Sequence, residues 1–506
     1  LELQDLADTL IGTPGNGLSV EQRKRVTIGV ELVAKPSIVL FLDEPTSGLD
    51  GQAAYNTVRF LRKLADAGQA VLVTIHQPSA QVFGLFDALL LLAPGGRTAF
   101  FGEMGPNGSR VRDYFARYGA PCPEDANLAE HIIDVVSGRP PSQGKDWAET
   151  WLSSPEHAAV TRELDTLIAT AAAKPPQPLP DDSHEYALPL WEQIKLVTSR
   201  TSLSLYRNTP HLNNKLMMHL VCALFNGFTF FQIGDSLSDL QLRVFSVFNF
   251  VFVAPGVINQ MQPLFLQRRA LFEGREHKSR MYSTTAFVTA VIVAEIPYLI
   301  LCGVVYFTAW YFTAGFPISP SRSLATLLTM LLFELVYTGI GQFEAAAAPN
   351  ELFAALTNPV VLGLLISFCG VLVPYAQMAS FWKHWMYWIN PFTYLVGAMM
   401  VFGLWKQEVM CKPEELAVLK APGNLTCGEY LAGYLKGMGT GARLLDPDAV
   451  GECRVCAVKS GSVYLKGLNL RGLGDGWRNV GVAGVFVVSS WVLVYVFMWL
   501  RVRRRG

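Results

Sequence analysis

Charge is scarce in this sequence. Asp, Glu, Lys and Arg together make up 16% of its 506 residues, against roughly a quarter in ordinary soluble chains. That scarcity excludes a disordered tail, a coiled coil and a conventional soluble enzyme of this length. Nor is there a surplus of either sign: 41 basic and 41 acidic side chains cancel, so no nucleic-acid partner is expected. No cleavable leader opens the chain. What is abundant is apolar side chain, 51% of residues, with a mean hydropathy of +0.28. Part of the chain is therefore expected to sit in a lipid bilayer.

The two kinds of composition are segregated. From Leu1 to about Pro189 the chain is mixed and charged, as in a soluble α/β domain. From about Asn213 come long uncharged stretches, each near the roughly 20 residues that a spanning helix needs. Six spans are predicted: Leu216–Gly234, Val244–Leu266, Ser283–Phe312, Ser323–Phe343, Leu352–Met378 and Asn479–Leu500. Core helices of soluble proteins rarely run so long without a polar face. The fourth span carries Glu334 and ends at Glu344, and the third carries Glu295, costly in lipid unless paired and a functional candidate for that reason. Pro297 beside it frees a backbone carbonyl, so a structural hydrogen bond is the other reading. Leu1 is not an initiator Met, and the chain reads as a fragment cut on its N-terminal side.

Basic residues set the orientation. Arg200 and Arg207 precede the first span, Arg268, Arg269, Arg275, Lys278 and Arg280 separate the second from the third, and Arg501, Arg503, Arg504 and Arg505 follow the last. The six spans then put both ends in the cytoplasm. The expected division is a soluble part over 1–170, a Pro- and Ala-rich linker over 171–190, an amphipathic helix over 191–209 and a membrane part over 210–506, with an exterior region at about 381–478. The amphipathic helix is read from Trp191, Ile194, Val197, Thr201 and Leu205. Four of the eight cysteines, Cys411, Cys427, Cys453 and Cys456, fall in the exterior region, where disulfides persist. Three pairings are open, and Cys453-x-x-Cys456 also has the spacing of half a zinc site or a redox pair. Asn424-Leu425-Thr426 is a glycosylation sequon on that side, whereas Asn107-Gly108-Ser109 faces the cytosol and is expected to stay unmodified.

The soluble part carries chemistry. Ser37 to Leu42 is an apolar run ending in Asp43 and Glu44, as suits a strand buried on both faces of a parallel sheet. Its acidic end would open at the carboxyl edge, where ligands bind in such sheets. There Asp43 can hold Mg²⁺ through water, and Glu44 can orient or deprotonate an attacking water. Pro45 to Asp50 follows, then a helical stretch from about Ala53 to Ala67, then a second strand, Ala70–Ile75, ending in His76. Upstream, Ser19 and Gln22 have capping-box spacing at the start of an apolar-periodic helix, whose N-terminus can receive an anion.

In combination these motifs resemble the nucleotide-binding domain of ABC transporters. Leu18–Gln22 is similar to the signature loop, Leu40–Glu44 to the Walker B strand, Ser47–Asp50 to the D-loop and His76 to the switch histidine. The strings VEQRKRVTIGVELVAKP, MYSTTAFVTAVIVAEIPY (Met281–Tyr298) and YWINPFTYLVGAM (Tyr387–Met399) resemble the C-terminal half of a fungal pleiotropic-drug-resistance exporter of the full-size G subfamily. The fold class implied is a partial ABC-type α/β domain followed by an all-α six-helix membrane domain with a disulfide-containing extracellular region. The resemblance implies ATP and Mg²⁺ as cofactors, with Glu44 and His76 catalytic and Asp43, Ser19, Gln22 and Asp50 at the nucleotide. It further implies a missing N-terminal half as partner, hydrophobic small molecules as substrates, and the plasma membrane as location. Gln267–Arg280 would be the coupling helix.

Two departures qualify that expectation. No G-x-x-x-x-G-K-[ST] phosphate loop occurs anywhere; the stretch Gly138 to Lys145 has one residue too many and Asp146 after the Lys. As written, the chain should bind ATP poorly. In the signature, Val20 and Glu21 stand where the family usually has glycines, adding bulk and negative charge towards a phosphate. One competent and one degenerate ATP site are therefore expected in the whole transporter. Along the membrane, Phe248, Asn249 and Phe252 are the candidates for a substrate path. Two other readings stand beside drug export: a lipid or sterol translocator with the same machinery, and a non-hydrolysing regulatory membrane subunit if Leu1 is the true start.

Overall fold

Short apolar runs ending in polar turns build the first part of the molecule. The computed structural model describes residues 3–13, 16–33, 39–123, 126–138, 144–174, 185–437 and 441–505, and divides into two compact units, Leu1–Leu179 and Pro180–Gly506. Ser37 and Ile38, at the head of the predicted strand, and residues 175–184 of the predicted linker lie outside the described residues.

In the first unit, helix α1 (Val20–Val33) precedes strand β1 (Val39–Asp43). Helix α2 (Gly51–Asp66) then leads to strand β2 (Ala70–Thr74), which pairs with β1 in parallel from Val39↔Ala70 to Asp43↔Thr74. Asp50 caps α2, its Oδ1 accepting from the Ala53 amide at 2.7 Å, and α2 buries Val58 and Leu61. The strand is not buried on both faces as the apolar run predicts: Leu40 is buried but Phe41 is 70% exposed and Leu72 51%. Among the described residues this sheet has two strands, one face of which is packed and the other bare. A separate antiparallel pair, β3 (Ala88–Ala93) and β4 (Arg97–Glu103), packs on an aromatic core of Phe100, Tyr114, Phe115, Trp147 and Trp151.

The second unit opens with α3 (Leu190–Arg207), which lays Gln193, Val197, Thr201 and Leu205 inward. Trp191, predicted on that stripe, is 71% exposed instead. Then follow α4 (Thr209–Thr229), α5 (Leu237–Asn249), α6 (Val253–Leu271), α7 (Thr284–Tyr311), α8 (Pro320–Ala347), α9 (Glu351–Ser367), α10 (Pro391–Leu404) and α11 (Leu473–Arg505). Helix α11 packs along α8, and a Cβ on Gly339 would stand 2.2 Å from Ser490 Oγ. Only a residue without a side chain allows that approach between spans.

Among the described residues, four stretches are long and apolar enough to cross a membrane, Leu237–Glu276, Thr284–Tyr311, Pro320–Ala347 and Leu473–Arg504, or five if the pair Ser380–Ile389 and Pro391–Leu404, bent by 77°, counts as one. Six were predicted. Helix α4 has the length, 21 residues, but its His211, Lys215 and His219 dilute its apolar character. Helix α9 has 17 residues and ends at Ser367. All of Pro391–Leu404 is buried, with Phe392, Leu395, Met399 and Val401 in the main core, so the region outside that core starts after Leu404.

That region is a three-stranded sheet of β5 (Leu416–Lys420), β6 (Arg443–Leu444) and β7 (Glu452–Cys456), with β7 central, and a helix, Cys427–Gly437. Cys411 pairs with Cys456 and Cys427 with Cys453, which decides among the three connectivities, and no three-residue metal-binding cluster occurs among the described residues. Asn424 is exposed. The sheet is tied to α5 by Glu415, whose carboxylate accepts from the amides of Leu237 (3.2 Å) and Ser238 (2.9 Å) at the positive end of that helix. It also accepts from the Lys412 amide at 2.9 Å.

Replacing Cys427 and Cys453 by Ser should destabilise this region by about 3–4 kcal/mol, from opening a 26-residue separation; protease resistance of residues 405–472 checks it. The Ser238 hydroxyl and these three amides push the Glu415 carboxyl down to about 2. A depressed carboxyl stabilises above its unfolded pKa of about 4.3 and loses that contribution as pH falls towards 2. Glu415→Gln should flatten the acid limb of the unfolding curve between those values.

Candidate functional site

At the carboxyl ends of β1 and β2, register does the positioning. Because Asp43 pairs with Thr74, the Thr74 hydroxyl donates to Asp43 Oδ1 at 2.6 Å and accepts from the Glu44 amide at 2.9 Å. Glu44 turns out of the ladder in the left-handed region, φ 45°, a conformation a non-glycine residue adopts only under local constraint. Both carboxylates are exposed, and so is His76, two residues past Thr74. Ser19 and Gln22 form the capping box at the head of α1, each side chain accepting from the other's amide at 3.2 and 2.9 Å. Lys24 on α1 donates to the carbonyls of Pro45 (3.3 Å) and Ser47, holding α1 against the loop that follows Glu44. A shallow cavity beside them is lined by Lys24, Thr27, Asp43, Glu44 and Pro45.

The acidic pair fits a hydrated divalent cation: one oxygen of Asp43 is fixed by Thr74 while the group stays open to water. The phosphate-binding half of such a site is not provided, since no phosphate loop occurs in the sequence. Thr74 and Lys24 escaped the sequence reading. The signal for Thr74 was available, because aligning the strand ends puts it opposite Asp43.

In the second unit, the polar groups concentrate in two places. The first is inside the spans. His211, Lys215 and His219 recur every four residues along α4 and share a face. Glu295 of α7 meets Lys215 Nζ at 3.0 Å and His211 Nε2 at 3.5 Å. Glu334 of α8 meets His219 Nε2 at 3.2 Å and accepts from the Tyr337 hydroxyl. All are buried. Glu295 is thus paired with Lys215, with His211 beside it.

The second concentration lies beyond α6, where the chain continues as a π-helical turn, Phe272–Glu276. Arg269 donates to the carbonyls of Ala345, Ala346 and Ala348, at the open end of α8. Arg501 of α11 reaches Glu273 at 2.6 Å, and Arg200 of α3 reaches Glu276 at 2.6 Å. The predicted coupling segment Gln267–Arg280 is therefore bonded to three helices. Of the predicted substrate-path residues, Phe252 is 53% exposed and Asn249 half-buried, its amide on Asn226 at 3.4 Å. Phe248 is buried in the main core, edge-on to Phe252.

Known proteins agree with this architecture. A family described as ABC-2 type transporter matches residues 192–402, and a second of the same description matches residues 76–151. ABC multidrug transporter H of Aspergillus fumigatus is 60% identical over 99% of this chain and 35% of its own length. ABC multidrug transporter G of the same organism is 52% identical over 100% and 37%. The brefeldin A resistance protein of Schizosaccharomyces pombe is 41% identical over 99% and 34%. The chain thus spans about a third of the length of the curated relatives it matches. The helices and the matched family define a multi-pass membrane protein of the ABC-2 type. Within that class, the chain belongs to the fungal ABC multidrug transporters of the pleiotropic-drug-resistance type.

Lys215→Met should cost about 3–5 kcal/mol by leaving Glu295 charged and underpaired in a dry interior. Lys215→Met with Glu295→Leu should recover most of it. Thermal unfolding of the full chain in lipid nanodiscs measures both.

Proposed function

We propose that this chain contributes one hydrolytic half-site and one membrane half to an ATP-driven exporter of amphipathic or hydrophobic compounds. The observation that carries the reading is the pair of exposed carboxylates at the end of β1, braced by Thr74, with His76 just beyond the adjacent strand end. On this reading Asp43 holds Mg²⁺ through water, Glu44 orients or deprotonates the attacking water, and His76 senses the terminal phosphate. Mg²⁺ supplies charge neutralisation when bound; the residues supply its placement and the base. Asp50 and the capping box of Ser19 and Gln22 face nucleotide from the loop and from α1.

The phosphate loop, and with it the cover for Phe41 and Leu72 on the bare sheet face, would come from sequence preceding this segment in the whole transporter. A first nucleotide-binding and membrane half would complete it, as the threefold greater length of the relatives supports. Val20 and Glu21 make the signature of this half a poor partner for a phosphate, so hydrolysis would be confined to one of two composite sites. Arg200–Glu276, Arg269 and Arg501–Glu273 form the joint through which closure of the ATPase domains would reach α3, α8 and α11. Phe252 and Asn249 lie towards the substrate path. The plasma membrane, with both ends of this segment cytoplasmic and Asn424 glycosylated outside, completes the proposal. The names of the relatives support drug export over lipid movement.

In the whole transporter, Glu44→Gln should lower ATP turnover at least ~100-fold, the scale of a lost general base, with nucleotide binding retained. Hydrolysis near the wild-type rate in that variant would refute the assignment.

A further inference from the structure

The polar face of α4 contains a proton that no side chain supplies by default. His219 has two ring nitrogens with fixed surroundings. Nδ1 lies 2.7 Å from the Lys215 carbonyl oxygen, which can only accept, so Nδ1 carries a hydrogen. Nε2 lies 3.2 Å from Glu334 Oε1. Were the imidazole neutral and the carboxylate ionised, two lone pairs would face each other there. The Tyr337 hydroxyl lies between the two, 3.4 Å from Nε2 and closer to the other carboxylate oxygen, Oε2; its single hydrogen can serve one of them, which leaves the Nε2–Oε1 contact without a hydrogen of its own. One further proton must lie between Nε2 and Oε1, whichever atom owns it.

His219 and Glu334 are fully buried, as is Lys215, and Glu295 is 2% exposed. Lys215 sits on Glu295 at 3.0 Å and His211 lies 3.5 Å from the same carboxylate, so the partner of Glu334 is His219, and a buried carboxylate is costly unless a proton or donor meets it. The other ionisable groups around the cluster are Cys222 on α4, Arg268 on α6, Cys302 and Tyr306 on α7, and Tyr337 on α8.

We infer that the His219–Glu334 pair is a proton-binding site inside the membrane unit, and that the bound proton holds α4 against α8. Protonated, the pair is neutral and hydrogen-bonded. Deprotonated, it leaves a bare carboxylate against a bare ring nitrogen, which pushes the two helices apart. Stability from this site is therefore present at low pH and is lost as pH rises past the point where the pair releases its proton.

Thermal unfolding of the full chain in nanodiscs, followed from neutral to strongly alkaline pH, tests the inference. The wild type should lose several degrees through a transition that releases one proton. Glu334→Gln, whose amide can donate to Nε2 without an extra proton, should lack that transition, and so should the His219→Gln/Glu334→Gln pair. Alkaline profiles identical to wild type in either variant overturn the inference. If neither variant folds, nitrogen NMR of histidine-labelled wild type together with its infrared carboxyl bands decides. A doubly protonated imidazole or an un-ionised buried carboxyl is expected; a bare Nε2 beside an ionised Glu334 overturns it.

Discussion

Charge buried without water must be balanced within the protein, and the membrane unit is organised around that requirement. His211, Lys215 and His219 on one face of α4 require acids opposite them, and Glu295 and Glu334 bring α7 and α8 to that face. The same rule acts at the ends of the spans. Arg269 satisfies the last carbonyls of α8, which have no partner of their own in the helix. Arg243, on α5, is held by the carbonyls of Ile233 and Gly234, and by Asp235. Apolar packing between spans has little to choose between neighbours, since lipid is as apolar as Leu. Polar pairs of fixed geometry specify which helix meets which.

The first unit relies on a different constraint, strand register. Shifting β2 by one residue would replace Thr74 opposite Asp43 with Val73 and leave the carboxylate without its donor. It would also turn Leu72 and the other alternate residues to the opposite face. The chemistry of Asp43 and Glu44 and the burial of Leu40 are thus set by one pairing. The left-handed turn at Glu44 adds a local strain that the Thr74 hydrogen bonds hold in place.

What could be read from the sequence was what depends on neighbours along the chain. The Ser19–Gln22 spacing, the apolar runs leading to Asp43 and to His76, the long uncharged stretches and the grouping of four cysteines are all local patterns. What escaped depends on partners far along the chain. Cysteine pairing follows from the β5–β7 register, which sets Leu419 against Cys453 and Leu416 against Cys456. The burial of all of Pro391–Leu404 among the other helices is likewise set by distant partners and has no mark in its local pattern. Lys215 and His219 were not singled out, although their four-residue spacing was visible. Phe248 and Phe252 are the same residue type four positions apart, and only tertiary packing separates the buried from the exposed one.

The bond between Cys411 and Cys456 joins the strand of chain leaving α10 to the strand returning towards α11. It acts as a short-circuit at the base of the outer segment, so the spacing of the two stems no longer depends on what hangs between them. Residues 421–451 can therefore lengthen, shrink or exchange sequence with little mechanical consequence for the helices below.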